Sequence, residues 1–286
     1  MKKILFLFLL LVSNLSLAKT ISVIIPFTTG GPTDQLWRSI EPALNERLKK
    51  HGLNLITENM PGAGGAIAAN KISETSDKLV LGFFSPALAI SPVTNPDSVR
   101  YNVNSIRLVE YAGAVEMIVV SPLSFEEFEK KCKKGTIFFG SSNVGSTSHL
   151  LGTVVAKELN CRDPVHVPYK GIAAAYIDLL SGRIDYMVDF NISASSHISS
   201  GRINKLFSMN DKFPNNLENW HVLISNNYND PAIEVIQLEL QNLKNDKSFV
   251  ENLERNLKIK NFSVIKNQQW LTKEFLVYKK FIDNIK

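Results

Sequence analysis

An α/β fold built on parallel sheets is predicted by two regularities of the sequence. Short apolar runs rich in β-branched residues alternate with segments of helical periodicity over most of the chain, and the junctions from run to helix are repeatedly rich in glycine or serine. Strands that alternate with helices imply parallel sheets with helices on both faces, and ligands of such sheets sit beyond the carboxyl ends of the strands, where these loops fall. Length adds a third indication, because residues 19–286 are long for one core and comfortable for two domains.

Residues 1–18 read as a secretory leader. Lys2 and Lys3 precede an apolar run from Ile4 to Val12 that is too short to span a bilayer, and Ser16 and Ala18 occupy positions −3 and −1 of a cut after Ala18. No cysteine follows the run, which argues against a lipid anchor, and no later stretch is long enough for a membrane span. The mature chain is therefore expected to be soluble and exported. Without Lys2 and Lys3, 30 Lys+Arg stand against 27 Asp+Glu, a formal charge of +3. No basic stripe with interleaved aromatics is present, so nucleic acid is not an expected partner.

The first unit is Ile21 to Arg38, ISVIIPFTTGGPTDQLWR: an apolar strand ending at Pro26, a Gly30-Gly31 turn, and a Thr33-Asp34 pair suited to opening a helix. That helix is predicted from Thr33 to Lys50 by Leu36, Ile40, Leu44 and Leu48 on one face, with a kink or break at Pro42. Leu53–Glu58 is a second strand, residues 59–65 a loop, and Ala66–Glu74 a helix. Leu79–Phe83 is a third strand that exits at Ser85-Pro86. The stretch from Ser91 to Asn104, rich in Pro, Asn, Asp and Ser, is expected to be irregular. Strand Met117–Ser121, helix Phe125–Lys133, strand Thr136–Gly140, loop Ser141–Ser146 and helix Thr147–Leu159 follow. The unit recurs as Val165–Pro168, Gly171–Leu180 and Ile184–Asp189. Pro231–Leu257 and Gln268–Ile285 are helical scaffold, expected to cover the first domain.

Cys132 and Cys161 each end a predicted helix just before a strand, which would bring both to one edge of a sheet. In an oxidising compartment this arrangement allows a disulfide and equally allows two unpaired thiols, since sequence does not supply the Cα separation.

The glycine-rich loop at Phe27–Asp34 leads into a helix start, whose unpaired N–H groups and positive dipole end hold an anion without a cationic side chain. A phosphate-binding P-loop needs a lysine after its glycines and none follows Gly31, so nucleotide binding is not expected there. Gly62-Ala63-Gly64-Gly65-Ala66-Ile67 imitates a dinucleotide fingerprint but has Ile67 at its third glycine position and no acidic residue at the ribose distance. Either loop taken alone is as well explained as a tight turn. The loop Gly140–His149 is dense in hydroxyls and precedes another helix, an arrangement suited to a carboxylate. A serine hydrolase using Ser146 or Ser148 with His149 is disfavoured: adjacent helix residues do not face each other, no G-x-S-x-G elbow exists, and no orienting acid is evident. The remaining histidines, His51, His166, His197 and His221, have no ligand spacing, so neither a metal nor a cofactor is expected. Of Asp185 and Asp189, which flank one strand, Asp189 at the carboxyl end is the site candidate, as receiver of a ligand ammonium or hydroxyl; the competing reading is a cap for a helix near Ile192. Ser85 and Tyr169 join the candidates as residues at strand exits.

The segments PFTTGGPTD (26–34), ENMPGAGG (58–65), GSSNVGSTSHL (140–150) and VPYKGIAAAYIDLLSGRID (167–185) together resemble the substrate-binding receptors of tripartite tricarboxylate transporters, the Bug or TctC family, from Ile21 to about Met209. The resemblance implies a periplasmic receptor of the periplasmic-binding-protein type II fold: two doubly wound α/β lobes with a ligand cleft between them, residues 19–116 plus 220–286 forming lobe 1 and 117–219 lobe 2. It implies a non-enzymatic monomer that traps a small carboxylate and presents it to a two-component integral membrane permease; a module sensing the same ligand for a signalling partner is the alternative. Carried onto this sequence, the first binding loop falls on Phe27, Thr28, Thr29, Gly30, Gly31, Thr33 and Asp34, and the opposing loop on Ser142, Asn143, Gly145, Ser146 and Ser148, with Asp189 selecting the ligand's far end. Thr28-Thr29 replaces the usual small apolar pair, Ser76–Leu79 replaces the usual Asp-Gly-Tyr-Thr, and the region after Asn210 is short and Asn-rich. Two extra hydroxyls beside the carboxylate would favour a more polar ligand.

Overall fold

The computed structural model describes residues 18–213 and 218–285. The predicted leader, residues 1–18, lies outside the described residues apart from Ala18.

Strand β1 (Lys19–Ile25) and helix α1 (Pro32–Lys49) set the layering. Ile21, Val23 and Ile25 point to one side of the sheet and pack with Leu36, Ile40, Leu44 and Leu48 of α1, whereas Ile24 belongs to a second apolar cluster. Both faces of the strand are covered, so its apolar run is continuous. The expected break at Pro42 is absent and α1 runs on through it. Pro42 is exposed, so water can satisfy the Arg38 carbonyl that it leaves without its helical partner.

The chain continues through β2 (Leu53–Asn59), a short 3₁₀ turn, α2 (Ala66–Glu74), β3 (Val80–Phe84) and α3 (Ala87–Thr94). Helix α3 occupies part of the stretch expected to be irregular. Pro92 removes the N–H that would reach the Leu88 carbonyl, but the Tyr101 hydroxyl donates to that carbonyl at 2.8 Å, so tertiary structure repairs what the local sequence lacks. Next come β4 (Arg107–Val115), β5 (Met117–Ser121), α4 (Phe125–Lys134), β6 (Thr136–Ser141), α5 (Thr147–Glu158), β7 (Asp163–Pro168), α6 (Ile172–Leu180) and β8 (Tyr186–Phe190). The remainder is α7 (Asn191–Ser199), β9 (Asn204–Ser208), α8 (Met209–Lys212), β10 (Trp220–Ser225), α9 (Pro231–Asn245), α10 (Lys247–Leu257), β11 (Ile259–Lys260) and α11 (Gln268–Ile285).

Two sheets result, ordered β11-β4-β10-β3-β1-β2 and β7-β6-β8-β5-β9. They are the two α/β sheets expected, parallel over the strands that alternate with helices and mixed where further strands join. Strands β2, β1 and β3 are parallel, as are β7, β6 and β8. In contrast, β10 runs antiparallel to β3 and β4, and β5 antiparallel to β8 and β9. The antiparallel members are the strands at the crossings: β4 passes to β5 of the other sheet across Glu116 alone, and β10 follows the return from β9 and α8. A strand that arrives from the other sheet without a covering crossover helix has no reason to run parallel.

Cys132, near the end of α4, and Cys161, just before β7, are joined as a disulfide with their Cα atoms 4.4 Å apart. The adjacent strands β6 and β7 start beside it, where Thr136 Oγ1 donates to the Asp163 carboxylate at 2.6 Å. Among the described residues no helix is long and apolar enough to cross a membrane.

Candidate functional site

The loops after β1, β2, β6 and β7 and the end of β8 converge on one cavity of about 390 Å³, lined by Phe27, Thr28, Gly31, Pro32, Pro61, Gly62, Ala63, Ser142, Asn143, Ser148, Tyr169, Lys170, Gly171, Ile172 and Asp189. Its size suits a small metabolite, and it lies at the carboxyl ends of strands from both sheets.

The first wall is the loop between β1 and α1. Gly31 N–H donates to the Thr28 carbonyl at 3.0 Å, and Gly30 sits at φ +77°, a left-handed conformation that glycine adopts without strain. Gly31 caps α1 and brings no side chain to bond the helix start, so first-turn donors remain for a ligand. Asp34 does not reach the cavity. It is buried, its Oδ2 accepts the Gly30 N–H at 2.9 Å, and its Oδ1 accepts the Asn59 amide at 3.0 Å. It braces the loop from behind. Thr29 turns to Asn59 Oδ1 at 3.1 Å, and the buried Thr33 hydroxyl lies 3.3 Å from His221 Nε2.

The loop before α2 forms the next wall through Pro61, Gly62 and Ala63. The sequence reading left these three out when the loop failed as a dinucleotide fingerprint, and it also left out Pro32, Lys170, Gly171 and Ile172 of the other walls. The available signal was the repeat of the strand, glycine-rich loop and helix unit. Gly65, the cap of α2, again contributes no capping side chain.

Opposite stands the hydroxyl loop before α5. Ser148 Oγ receives the Ser142 N–H at 3.1 Å and lies 3.3 Å from Ser142 Oγ and 3.0 Å from Ser146 Oγ. Ser146 Oγ donates to the Asn143 carbonyl and accepts the His149 N–H, so it caps α5 and does not line the cavity. Asn143 Oδ1 is buried without a partner. Gly145 packs against Thr94 and Asn95 instead of the cavity, and Ser85 is buried where β3 ends. His149 is committed elsewhere: its Nδ1 accepts the Gly145 N–H at 3.2 Å and its ring stacks on His166 at 3.9 Å. His166 Nε2 lies 2.7 Å from Ser141 Oγ, but Ser141 is fully buried and away from the cavity. Burial, reinforced by the neighbouring His149, holds His166 down at about 4. No serine lining the cavity has a base beside it, which removes the hydrolase geometry.

From β7, Tyr169 and Gly171 donate their N–H groups to the carbonyls of Ser141 and Ser142, both at 2.9 Å. The Tyr169 hydroxyl donates to Asp178 at 2.8 Å, and burial with that carboxylate raises it to about 12. Gly171 lies at φ +104°, and a Cβ there would stand 2.9 Å from Thr28 Oγ1. Asn95 Nδ2 donates to the Val144 carbonyl at 3.4 Å. The loops of the two sheets thus touch across the cavity.

Asp189 closes the far end. It is 1% exposed, its Oδ2 accepts the Tyr176 hydroxyl at 2.9 Å, and burial pushes it up to about 7 against the pull of that bond and of the Phe190 backbone. It does not cap the next helix, because α7 is capped by Phe190 with no side-chain bond. Asp185 is turned away, paired with Lys131 at 2.6 Å and accepting the Phe138 N–H. Among the described residues no group of three His, Cys, Asp or Glu could hold a metal ion.

The family described as "Tripartite tricarboxylate transporter family receptor" matches residues 38–220. The chain belongs to this family. As a receptor of this kind it is a binding protein and not an enzyme. Protein BugT of Bordetella pertussis is 28% identical over 200 residues, 66% of this chain and 60% of BugT. The receptor spans 54 to 60% of the length of the curated relatives it matches at comparable strength. Among solved structures, the periplasmic binding protein BugD superposes with a TM-score of 0.79 at 20% identity, covering 93% of the receptor and 97% of BugD. MatC of Rhodopseudomonas palustris with bound malate superposes with a TM-score of 0.71 at 20% identity, covering 92% of the receptor and 98% of MatC. At these identities the likeness establishes the two-lobed α/β fold.

Proposed function

We propose that the receptor works in the periplasm, where it captures a small carboxylate-bearing metabolite and delivers it to a two-component membrane permease. Residues 19–116 with 220–286 form one lobe and residues 117–219 the other, and the cleft between them is the ligand site. The observation that carries this reading is the convergence on one cavity of the start of α1, capped by glycine without a side-chain bond, and of the Ser142–Ser148 hydroxyl pair. N–H dipoles and hydroxyls fixed in a site closed to water hold a carboxylate, and closure of the lobes is the signal presented to the permease. Phe27, Thr28, Gly31, Ser142, Asn143, Ser148 and Tyr169 are the contacts assigned to the ligand. Thr29, Gly30, Thr33, Asp34, Ser85, Gly145 and Ser146 act one layer behind them.

The ligand classes to be tried are dicarboxylates and tricarboxylates, acidic amino acids and aromatic acids; malate in MatC supports their inclusion. A thermal-shift screen over these classes, on protein unfolded and refolded to strip carried-over ligand, is the test, because a ligand of the folded state alone raises the midpoint. A rise with at least one carboxylate is expected. No rise with any of them would overturn the reading.

A further inference from the structure

Beside the cavity, the two sheets meet a second time. Gly145, in the loop before α5, lies at φ +79°, and a Cβ on it would run into Asn95 Nδ2 and stand 2.6 Å from Thr94 Oγ1. Asn95 ends α3, and its Nδ2 donates to the Val144 carbonyl at 3.4 Å. The Gly145 carbonyl in turn lies 3.1 Å from where a Cβ of Gly64 would stand. The two backbones thus come closer than side chains at these positions would allow.

Each side of the contact is fixed within its own half of the molecule. Ser91 Oγ of α3 donates to the Gly64 carbonyl at 2.6 Å, and Thr94 Oγ1 donates to the Ile90 carbonyl at 3.1 Å. Opposite, His149 Nδ1 accepts the Gly145 N–H at 3.2 Å, and Ser146 caps α5. Neither Asn95 nor Gly145 lines the cavity, but Ala63 and Asn143, one or two residues along the same loops, do. The contact therefore forms only when the cavity walls have come together. Whatever favours the closed state alone also retains a ligand enclosed by it. Resting on the two-lobed carboxylate receptor proposed above, we infer that the seat of Thr94 and Asn95 on the Gly145 turn is a closure latch, which holds the lobes shut on a ligand that it never touches.

The first test needs no ligand. Asn95 Nδ2 is two bonds from the Asn95 Cβ, so Asn95→Cys with Gly145→Cys falls within disulfide reach. In the oxidised protein, peptide mass spectrometry is expected to find these two positions joined. Asn95→Cys with Gly182→Cys is the control and should stay unjoined, since a Cβ at Gly182 meets nothing within 4 Å. The second test is isothermal titration with malate, glutarate, citrate and glutamate. Any of these that the unaltered receptor binds is expected to bind Gly145→Ala at least about tenfold more weakly, because the new Cβ holds the loops apart. Thr94→Ala with Asn95→Ala should itself weaken binding, and on that background, which lacks the latch, Gly145→Ala should cost little more. Backbone strain confined to the Gly145 loop would instead cost the same on both backgrounds. A missing crosslink between positions 95 and 145, or a Gly145→Ala loss that is absent or equal on both backgrounds, overturns the latch and leaves the carboxylate receptor standing. A crosslink that forms while no probe binds overturns the carboxylate reading and leaves the latch. Neither crosslink nor binding overturns both.

Discussion

His221 on β10 is wholly buried between Phe83 of one sheet and Phe190 of the other, at centroid distances of 5.7 and 5.6 Å, and its Nδ1 has no partner. Desolvation holds it down at about 3. Below the ordinary histidine value of about 6.5 the unfolded chain takes a proton that the native chain refuses, so stability falls as pH drops from about 6.5 towards 3. At pH 5 this single residue is expected to cost about 2 kcal/mol. Urea unfolding at pH 7 and pH 5 checks it, and His221→Gln should flatten the difference by about that amount. Asp189 carries the opposite linkage: its raised value favours the folded state at low pH, and that contribution is lost as pH climbs through about 7. The two acids among the site candidates also show what residue type alone leaves open: Gly30 and Asn59 claim Asp34, which does not line the cavity, while Asp189, bonded by Tyr176, does.

Among the elements, α4 and the α5–β7 connection are tied by the Cys132–Cys161 bond, which closes a loop of 29 residues. By loop-closure entropy such a bond contributes about 3–4 kcal/mol. Cys132→Ser with Cys161→Ser is expected to lower the urea midpoint accordingly, and mass spectrometry after alkylation should find no modified thiol until reductant is added. The turn from β7 into α6 carries a different constraint, because a Cβ at Gly171 would meet Thr28 Oγ1 at 2.9 Å from across the cavity. Gly171→Ala is expected to weaken carboxylate binding by at least about tenfold by holding the two loops apart. Gly182→Ala is the control: at φ +73° with open space around its Cβ position, it carries backbone strain without obstructing the cavity and should cost about 1 kcal/mol of stability and no affinity.

On the scale of the whole molecule, the two sheets are joined by more than the crossings at Glu116 and after Lys212. Leu150 of α5, a helix packed on the second sheet, is buried in the same apolar cluster as Phe84 of the first sheet and as Leu271 and Phe275 of α11. The C-terminal helix therefore touches both halves of the molecule. Leu150→Ala removes apolar contact that exists only while the halves are together, at a cost of about 2–3 kcal/mol for a buried leucine. The expected outcome is a larger radius of gyration in small-angle scattering and weaker carboxylate binding, with the near-unchanged far-UV spectrum of a folded protein. An unchanged radius would show that Leu150 does not hold the halves together.

The sequence by itself determined the alternation of strand, loop and helix, the apolar face of α1 at Leu36, Ile40, Leu44 and Leu48, and the glycine and serine loops that end at the cavity, because these are set by neighbours within a turn or two of chain. It did not reveal strand β4, helix α3 with its Pro92, or the antiparallel course of β5 and β10. Those depend on partners remote in sequence: Tyr101 on the Leu88 carbonyl, β10 on β4, and β8 on β5. Only the tertiary structure decided which side of each loop meets the cavity, brought Pro61, Gly62 and Ala63 into its wall, and buried Asp189 against the Tyr176 hydroxyl, since burial and opposition across a cleft are properties of packing between sheets and not of local pattern.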